Sequence, residues 1–494
     1  MRPTLQLLVA LALCTLAGCG DAPEHAPTGG GERALQRRWD GSLVLLVVFD
    51  ALHATHVTHL GYERDTTPNL DRLARAGVSF ARAYSTAPYT RAGIPSIHTG
   101  RLPEHHGMRS GEEKLAREET TAAELFDEIG APTRGAVGNL YGSEVYGVDQ
   151  GFREFHDHAL ALEGRSADLV EGGVAFHTTR AKEFTARTIG WMDADPSGPA
   201  FWYLHYLEPH YPYVREGAWR KRYLDPDYDG EFRAMPAALI NAVNRGEVAM
   251  DDDDVAAAVA LYDATLAYAD HHFGDVLDEL ERRGLYDDAL IVVTSDHGEA
   301  HQQHGRLGHN VHLYDEMVHV PLIVKFPKGR GPVGVIDRTV VSHMDVLPSL
   351  VEWCGLAQPP LPLDGVSLER ALELPDDAER ELVLRTNEEI PDLGLRTRDT
   401  KTIVVRDAEG NVVRTEHYDL AADPGERVDT ASTAAALVDA RRAMLLGFER
   451  DSAAVRSRSE PVDRHEGILE VLASLGYSES GDAVPDASTG DDEE

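Results

Sequence analysis

Leu290-Ile291-Val292-Val293-Thr294-Ser295-Asp296-His297-Gly298-Glu299 is the stretch whose reading decides the fold. Residues 290–295 are apolar and β-branched, without the alternation of a half-exposed strand. Such a run reads as a strand buried on both faces, the habit of parallel sheets. It closes in a carboxylate and an imidazole, and open α/β sheets bind ligands outside the carboxyl ends of their strands. Asp296 and His297 are therefore expected at the mouth of a central strand. His301, His304, His309 and His312 follow closely, and then a second apolar run at 320–327. Carboxylate and imidazole donors together suit zinc or a harder divalent cation.

A matching stretch lies near the start of the chain. Residues 43–49 are apolar and end at Asp50, which predicts a second buried strand with an acid at its mouth. If the two strands are neighbours, Asp50 and Asp296 meet. His53, His56 and His59 recur every third residue and are expected on the solvent side or behind the ligands. Thr67 and Pro68 start a helix as N-cap and first-turn proline. Pro88 and Pro95 mark a loop leading into a helix start, and Thr90 on it is a candidate nucleophile. A Thr hydroxyl is weak at neutral pH and needs a metal to activate it. Residues 120–129 read as a helix and 136–139 as a short strand. The apolar run 201–204 leads into His205 and His210, a further strand mouth that delivers imidazoles. Asp251 to Asp254 open a long helix, where acids suit the dipole. Beyond Arg338 the pattern is mixed. Strands are expected at 340–341, 382–384 and 402–405, a helix starts at Asp345, and 412–414 with 417–420 suggest a closing hairpin.

The 494 residues are 42% hydrophobic, enough for a large core, and carry a formal net charge of -37. Such a surface repels nucleic acid and anionic membranes, so neither is expected as a partner. It also repels anionic substrates, so a phosphate or sulfate site needs local positive charge, most simply metal ions. The N-terminus has Arg2 and an apolar run at 5–16, too short to span a bilayer. That run ends Leu16-Ala17-Gly18-Cys19, which resembles a bacterial lipoprotein cleavage box. The resemblance implies lipidation of Cys19 and a place in the bacterial cell envelope, at the outer membrane or periplasm, with the lipid anchor the only membrane contact. Cys14 falls in the signal, and Cys354 is expected as a buried thiol. The expected organisation is a signal peptide at 1–18, a flexible tether at 19–41, a main α/β domain at 42–370, a C-terminal subdomain at 371–478 and an acidic disordered tail at 479–494.

With these residues placed, the chain resembles the sulfatase family of the alkaline phosphatase superfamily over roughly residues 42–479. The carriers are Val47-Val48-Phe49-Asp50, Thr67-Pro68-Asn69-Leu70-Asp71-Arg72-Leu73-Ala74, and Thr99-Gly100-Arg101-Leu102-Pro103 with His106-Gly107. They continue with Glu208-Pro209-His210-Tyr211-Pro212-Tyr213 and Ser295-Asp296-His297-Gly298-Glu299 with His304-Gly305. Tyr418-Asp419-Leu420, Asp423-Pro424-Gly425-Glu426 and Leu475-Gly476-Tyr477 complete them. The resemblance implies an alkaline-phosphatase-like three-layer α/β sandwich with a mostly parallel central sheet and a smaller C-terminal α+β subdomain. It implies a metal held by Asp50, Asp296 and His297 beside a nucleophile, with Asn139 and Arg101 binding substrate.

The chain departs from the sulfatase pattern at the nucleophile. Sulfatases convert the Cys or Ser of Cys/Ser-x-Pro-x-Arg to formylglycine. Counting back ten positions from Gly100 reaches Thr90, followed by Arg91-Ala92-Gly93-Ile94, so the Pro and Arg are missing. A register built on Pro95 instead puts Gly93 at the nucleophile and means a dead enzyme. The family's Lys-x-His pair is absent, with Asn139 near its place. His309, thirteen positions after Asp296, stands where sulfatases often have Lys. Phosphoester-cleaving and phosphoethanolamine-transferring relatives with a Thr nucleophile have a His there, and two His five apart like His205 and His210. In that pattern Thr90 attacks phosphorus, His210 and His309 hold a second metal or the substrate oxygens, and His205 is the general acid or base. Zinc is the first expectation for the metal, with calcium or manganese open. Three functions stand: a phosphate, phosphodiester or phosphonate ester hydrolase; a sulfate ester hydrolase; and a silent, metal-retaining lipoprotein that binds anionic glycans or lipids. The substrate is thus a small-molecule, glycan or lipid ester.

Overall fold

The computed structural model describes residues 38–109, 113–157, 180–194, 198–213, 217–373, 380–386 and 390–462. Cys19, the tether, the closing Leu475-Gly476-Tyr477 and the acidic tail lie outside them. The described residues belong to one compact unit that begins at Arg37.

The elements that carry the main domain are β1 (Leu43–Phe49), α1 (Pro68–Ala76), β2 (Val78–Phe80), α2 (Thr90–Thr99), α3 (Ala122–Glu128), β3 (Thr133–Val137) and β4 (Glu154–Asp157). They continue with α4 (Arg180–Ala194), β5 (Ala200–Tyr206), α5 (Asp252–Arg282), β6 (Leu290–Thr294), β7 (Ala300–His301), β8 (Leu307–Gly308), β9 (Leu322–Lys325), β10 (Gly334–Ile336) and α6 (Val346–Cys354). Eight strands form the central sheet in the order β10-β2-β9-β6-β1-β5-β3-β4. β1 is parallel to both β5 and β6, and β9 is the strand that runs against its neighbours.

Every residue of β1 is buried, because successive side chains point to opposite faces and both faces are covered. Leu43, Leu45, Val47 and Phe49 enter a core with Leu261, Phe273 and Leu277 of α5 and with Leu70 and Leu73 of α1. Val44, Leu46 and Val48 enter a second core with Ile94 and Ile97 of α2, Phe126 of α3, and Val346 and Leu350 of α6. Each such side chain contributes about 1.5–3 kcal/mol on burial. The three-layer sandwich is thus written into the alternation of one strand. Cys354 is buried as expected. The acidic run opens α5, with Asp251 and Asp254 forming a reciprocal capping box.

The C-terminal part is an antiparallel sheet of β11 (Leu382–Arg385), β12 (Leu393–Arg396), β13 (Thr400–Arg406) and β14 (Val412–Asp419), followed by α7 (Ala435–Ser452). Leu445 of α7 packs with Leu393, Leu395 and Val404. On the opposite face Leu382, Leu384, Ile403 and Tyr418 pack with Tyr84, Leu313 and Val318 of the main domain. The stretch expected to form a closing hairpin from 412–414 and 417–420 is one continuous strand, paired along its length with β13. Among the described residues no helix is long and apolar enough to cross a membrane.

Candidate active site

The site begins where β1 and β6 end side by side. Ser295 Oγ donates to the Phe49 carbonyl at 2.6 Å and accepts the Leu52 N–H at 2.8 Å, which ties the two strand mouths together. Asp296 Oδ1 accepts the N–H groups of Ala51 at 3.1 Å and His297 at 3.0 Å. Ala51 has a φ of 60°, so the chain turns sharply as soon as Asp50 has been placed.

Helix α2 brings Thr90 to the same point. The helix starts at Thr90 and contains Pro95, rather than starting beyond a loop that ends there. Thr90 Oγ1 lies 3.2 Å from His297 Nε2 and 3.3 Å from Asn139 Nδ2. Asn139 Nδ2 also donates to Asp50 Oδ2 at 2.6 Å. His297 Nδ1 donates to the Gly298 carbonyl at 2.8 Å, so the neutral ring carries its lone pair on Nε2. Gly93, the other register for the nucleophile, packs instead against the Asp296 backbone. A Cβ there would come within 2.4 Å of the Asp296 carbonyl oxygen.

Asp50, Asp296 and His297 are fully buried and present ligand atoms within 4.8 Å of one another. His297 Nε2 stands 3.5 Å from both Asp50 Oδ1 and Asp296 Oδ2. Those two carboxylate oxygens have no hydrogen-bond partner among the described residues. Burial and the adjacent Asp50 push the Asp296 carboxyl up. Burial also acts upward on Asp50, but His210, His205 and His297 outweigh it and bring that carboxyl down to about 2. Two buried acids with unsatisfied oxygens and an imidazole lone pair fit a divalent cation, whose charge would settle both at once.

His210 and His309 complete the wall. Their ring centroids are 4.7 Å apart, and that of His309 is 4.3 Å from that of His297. Neither joins the three-residue ligand group among the described residues, so a second metal on them has no donor set of that kind. Burial lowers His210 to about 4 and holds His309 well below the ordinary imidazole range. Both are neutral rings facing the cluster.

Two expected roles change. His205 is fully buried with Nε2 3.2 Å from Asp50 Oδ2, the carboxylate oxygen that Asn139 also engages. It supports Asp50 from the side away from His297 and is not set to trade protons with an ester. Arg101 follows α2 at the end opposite Thr90, about 15 Å along the axis for a ten-residue helix. Its guanidinium pairs with buried Glu119 and donates to Ser457 Oγ at 3.1 Å, so it holds the fold together rather than binding substrate. His53 and His56 are buried, not solvent-facing. His53 precedes and His56 ends the turn Ala54–His56, and His56 Nδ1 sits 2.9 Å from Asp263.

The sequence reading gave Arg91 no role, quoted Ser295 only as part of a motif, and weighed Gly93 only as a vacant nucleophile position. Arg91 is buried next to Thr90, with its guanidinium over the Tyr141 ring at 4.8 Å. An Arg directly after the candidate nucleophile, and a Gly three positions on, were the available signal.

Two acids and an imidazole at the mouths of β1 and β6, with the Thr90 hydroxyl brought to them by α2, suit an ester hydrolase of the alkaline phosphatase superfamily. The Sulfatase family model matches residues 42–356, and the chain belongs to the sulfatase family. Members of that family generally use a divalent metal. The chain is 24% identical over 394 residues to the multifunctional alkaline phosphatase superfamily protein PehA of Trinickia caryophylli, covering 66% of this chain and 76% of that one. It is 23% identical to an arylsulfatase of Clostridium perfringens, over 67% of this chain and 78% of that one. Its fold resembles the phosphonate monoester hydrolase of Agrobacterium radiobacter, with a TM-score of 0.66 and 20% identity over 86% of this chain and all of that one.

Proposed function

We propose that the protein hydrolyses phosphate, phosphodiester or phosphonate esters with Thr90 as nucleophile. The observation that carries this reading is the Thr90 hydroxyl 3.2 Å from His297 Nε2, beside the buried pair Asp50 and Asp296. Thr90 Oγ forms a bond to phosphorus as the P–O bond to the alcohol breaks. The proton lost by Thr90 balances the one taken up by the departing alkoxide. Water then cleaves the phosphothreonine and returns the proton to Thr90. Asn139 aims the nucleophile by donating to Oγ1, and the His210 and His309 rings border the space for the ester oxygens. A divalent cation held by Asp50, Asp296 and His297, with zinc first and calcium or manganese as alternatives, would supply the positive charge that an anionic ester and a Thr nucleophile both require.

Sulfate ester hydrolysis is the second reading, favoured by the likeness to the arylsulfatase. The test is initial rates on aryl phosphate, phosphodiester, phosphonate and sulfate esters with Zn²⁺, Mn²⁺ or Ca²⁺, for wild type, Thr90→Ser and Thr90→Ala. Phosphorus-ester turnover kept in part by Ser and lost in Ala is the expected result. Sulfatase turnover that survives Thr90→Ala overturns the reading. The envelope placement through a lipid on Cys19 is part of the same proposal, and labelled palmitate that still enters Cys19→Ala would rule it out.

A further inference from the structure

We infer that a cavity between the main domain and the C-terminal sheet binds a small organic oxyanion, held by Arg427, Arg82 and His53 apart from the catalytic cluster. The inference does not depend on the functional reading above.

The cavity has a volume of about 450 Å³, within the range of about 300–1,000 Å³ usual for small-molecule sites. The main domain contributes Thr55 and Ala81 to its wall, and the chain after β14 contributes Leu420, Pro424 and Gly425. Tyr84 and His319 add a stacked pair of rings, centroids 5.1 Å apart, against which an organic body can lie. Among the described residues, neither Thr90 nor any of Asp50, Asp296 and His297 lines it.

Charge decides what the cavity takes. Its acids are already engaged. Asp315 pairs with Arg396 at 3.2 Å and with Lys401 at 2.5 Å, and Glu316 Oε1 meets His304 Nδ1 at 2.6 Å. Asp337 lies 3.8 Å from Arg82, with its side chain 69% exposed to water.

The donors are less committed. Arg82 gives Nε to the Asp337 carbonyl and Nη1 to the Arg398 carbonyl, and its Nη2 has no hydrogen-bond partner among the described residues. The exposed guanidinium of Arg427 has none there either. Gln303 Oε1 accepts the His301 N–H, which leaves its amide NH₂ as a further donor. His53 is buried and neutral, since burial holds it well below the ordinary imidazole range. Its Nδ1 lies 2.9 Å from Thr55 Oγ1, and its Nε2 has no partner among the described residues. A hydroxyl can donate to Nδ1, and Nε2 then carries the proton that an oxyanion accepts. A guanidinium fork matches carboxylate and phosphoryl oxygens alike. In a chain of net charge -37, these groups make a local excess of donors.

The experiment is calorimetric titration of the full-length protein with succinate and, separately, with propylphosphonate, which has no ester bond to cleave. Arg427→Met is expected to weaken binding about 10-fold or more, the effect of losing a charge-assisted hydrogen bond. His53→Phe, which keeps the ring and removes its nitrogens, is expected to weaken it as well. Arg450→Met removes an equal charge from an arginine 76% exposed outside the cavity, and is expected to bind as wild type does. The probe taken up more tightly tells a carboxylate ligand from a phosphoryl one. A wild type that binds neither probe overturns the inference. So does full affinity in Arg427→Met or His53→Phe, or an equal loss in Arg450→Met.

Discussion

Gly93 of α2 rests against the carbonyl of Asp296 so closely that a Cβ would lie 2.4 Å from that oxygen. This contact brings the nucleophile's helix down onto the ligand strand's mouth. One turn earlier in the helix, Thr90 then reaches His297. The glycine that a shifted motif register would make a vacant nucleophile position is the residue that lets Thr90 occupy it.

Gly93→Ala must therefore push α2 away from β6. Overpacking of this kind costs about 1–3 kcal/mol. The expected outcome is a lower thermal midpoint by calorimetry together with a fall in kcat, since the displacement opens the gap between Thr90 and His297. A variant with normal stability and normal kcat would show that the contact is slack.

Asp296→Asn keeps the shape of the side chain and removes the charge that burial and Asp50 make costly. The metal-free variant is expected to melt higher than the metal-free wild type. Its affinity for the cation is expected to fall on the order of tenfold or more, because ligand charge sets such affinities. Thermal scans with and without zinc, alongside bound-metal measurement, check both halves. Metal stabilisation equal to that of wild type would remove Asp296 from the ligand set.

His304 Nδ1 meets Glu316 Oε1 at 2.6 Å, and His304 Nε2 reaches the Glu426 carbonyl at 3.1 Å. Burial acts to lower His304, but the bond to Glu316 and its charge prevail and raise it above its ordinary 6.5. A raised imidazole adds stability that is fully present below pH 6.5 and is lost as pH rises through the folded value. The two side chains are 15% and 6% exposed, so solvent screens the pair little. His304→Gln is expected to remove that falling limb from a plot of thermal midpoint against pH. An unchanged profile would mean the pair does not carry it.

Arg101→Met leaves the Glu119 carboxylate buried without its cation, a loss of about 3–5 kcal/mol. The variant is expected to unfold earlier in denaturant while KM for any ester that wild type cleaves stays unchanged where it is folded. A raised KM would restore Arg101 to the substrate.

The ligand strands were legible because each wrote its own signal: an unbroken apolar run that closes in Asp50, or in Asp296 and His297. Their adjacency was not legible: burial on two faces puts each inside the sheet but leaves the strand order open until Val44 pairs with Leu290. What escaped depends on partners far along the chain. His56 reads as either solvent-facing or standing behind the ligands until Asp263, 207 residues away, is placed beside it. Arg101 reads as an anion binder until Glu119 is placed. β14 broke into two pieces because Arg414 and Glu416 interrupt its apolar positions, and these charges pair with each other at 2.6 Å. Helix α7 gave little signal because it buries Val438, Arg441, Leu445 and Ser452, a face half polar.

Asp50 and Asp296 follow neighbouring strands that lie far apart in the chain, and Ser295 joins those strands only once both are laid down. A growing chain therefore has no cation site to offer until β6 has docked on β1. Binding must wait for folding, and the ion is drawn from whatever the surroundings hold at that moment. With two oxygens and one nitrogen as donors, intrinsic affinity rises along the divalent series and discriminates poorly against the wrong metal. The place where this chain folds, more than the geometry of its ligands, would choose a metal held there.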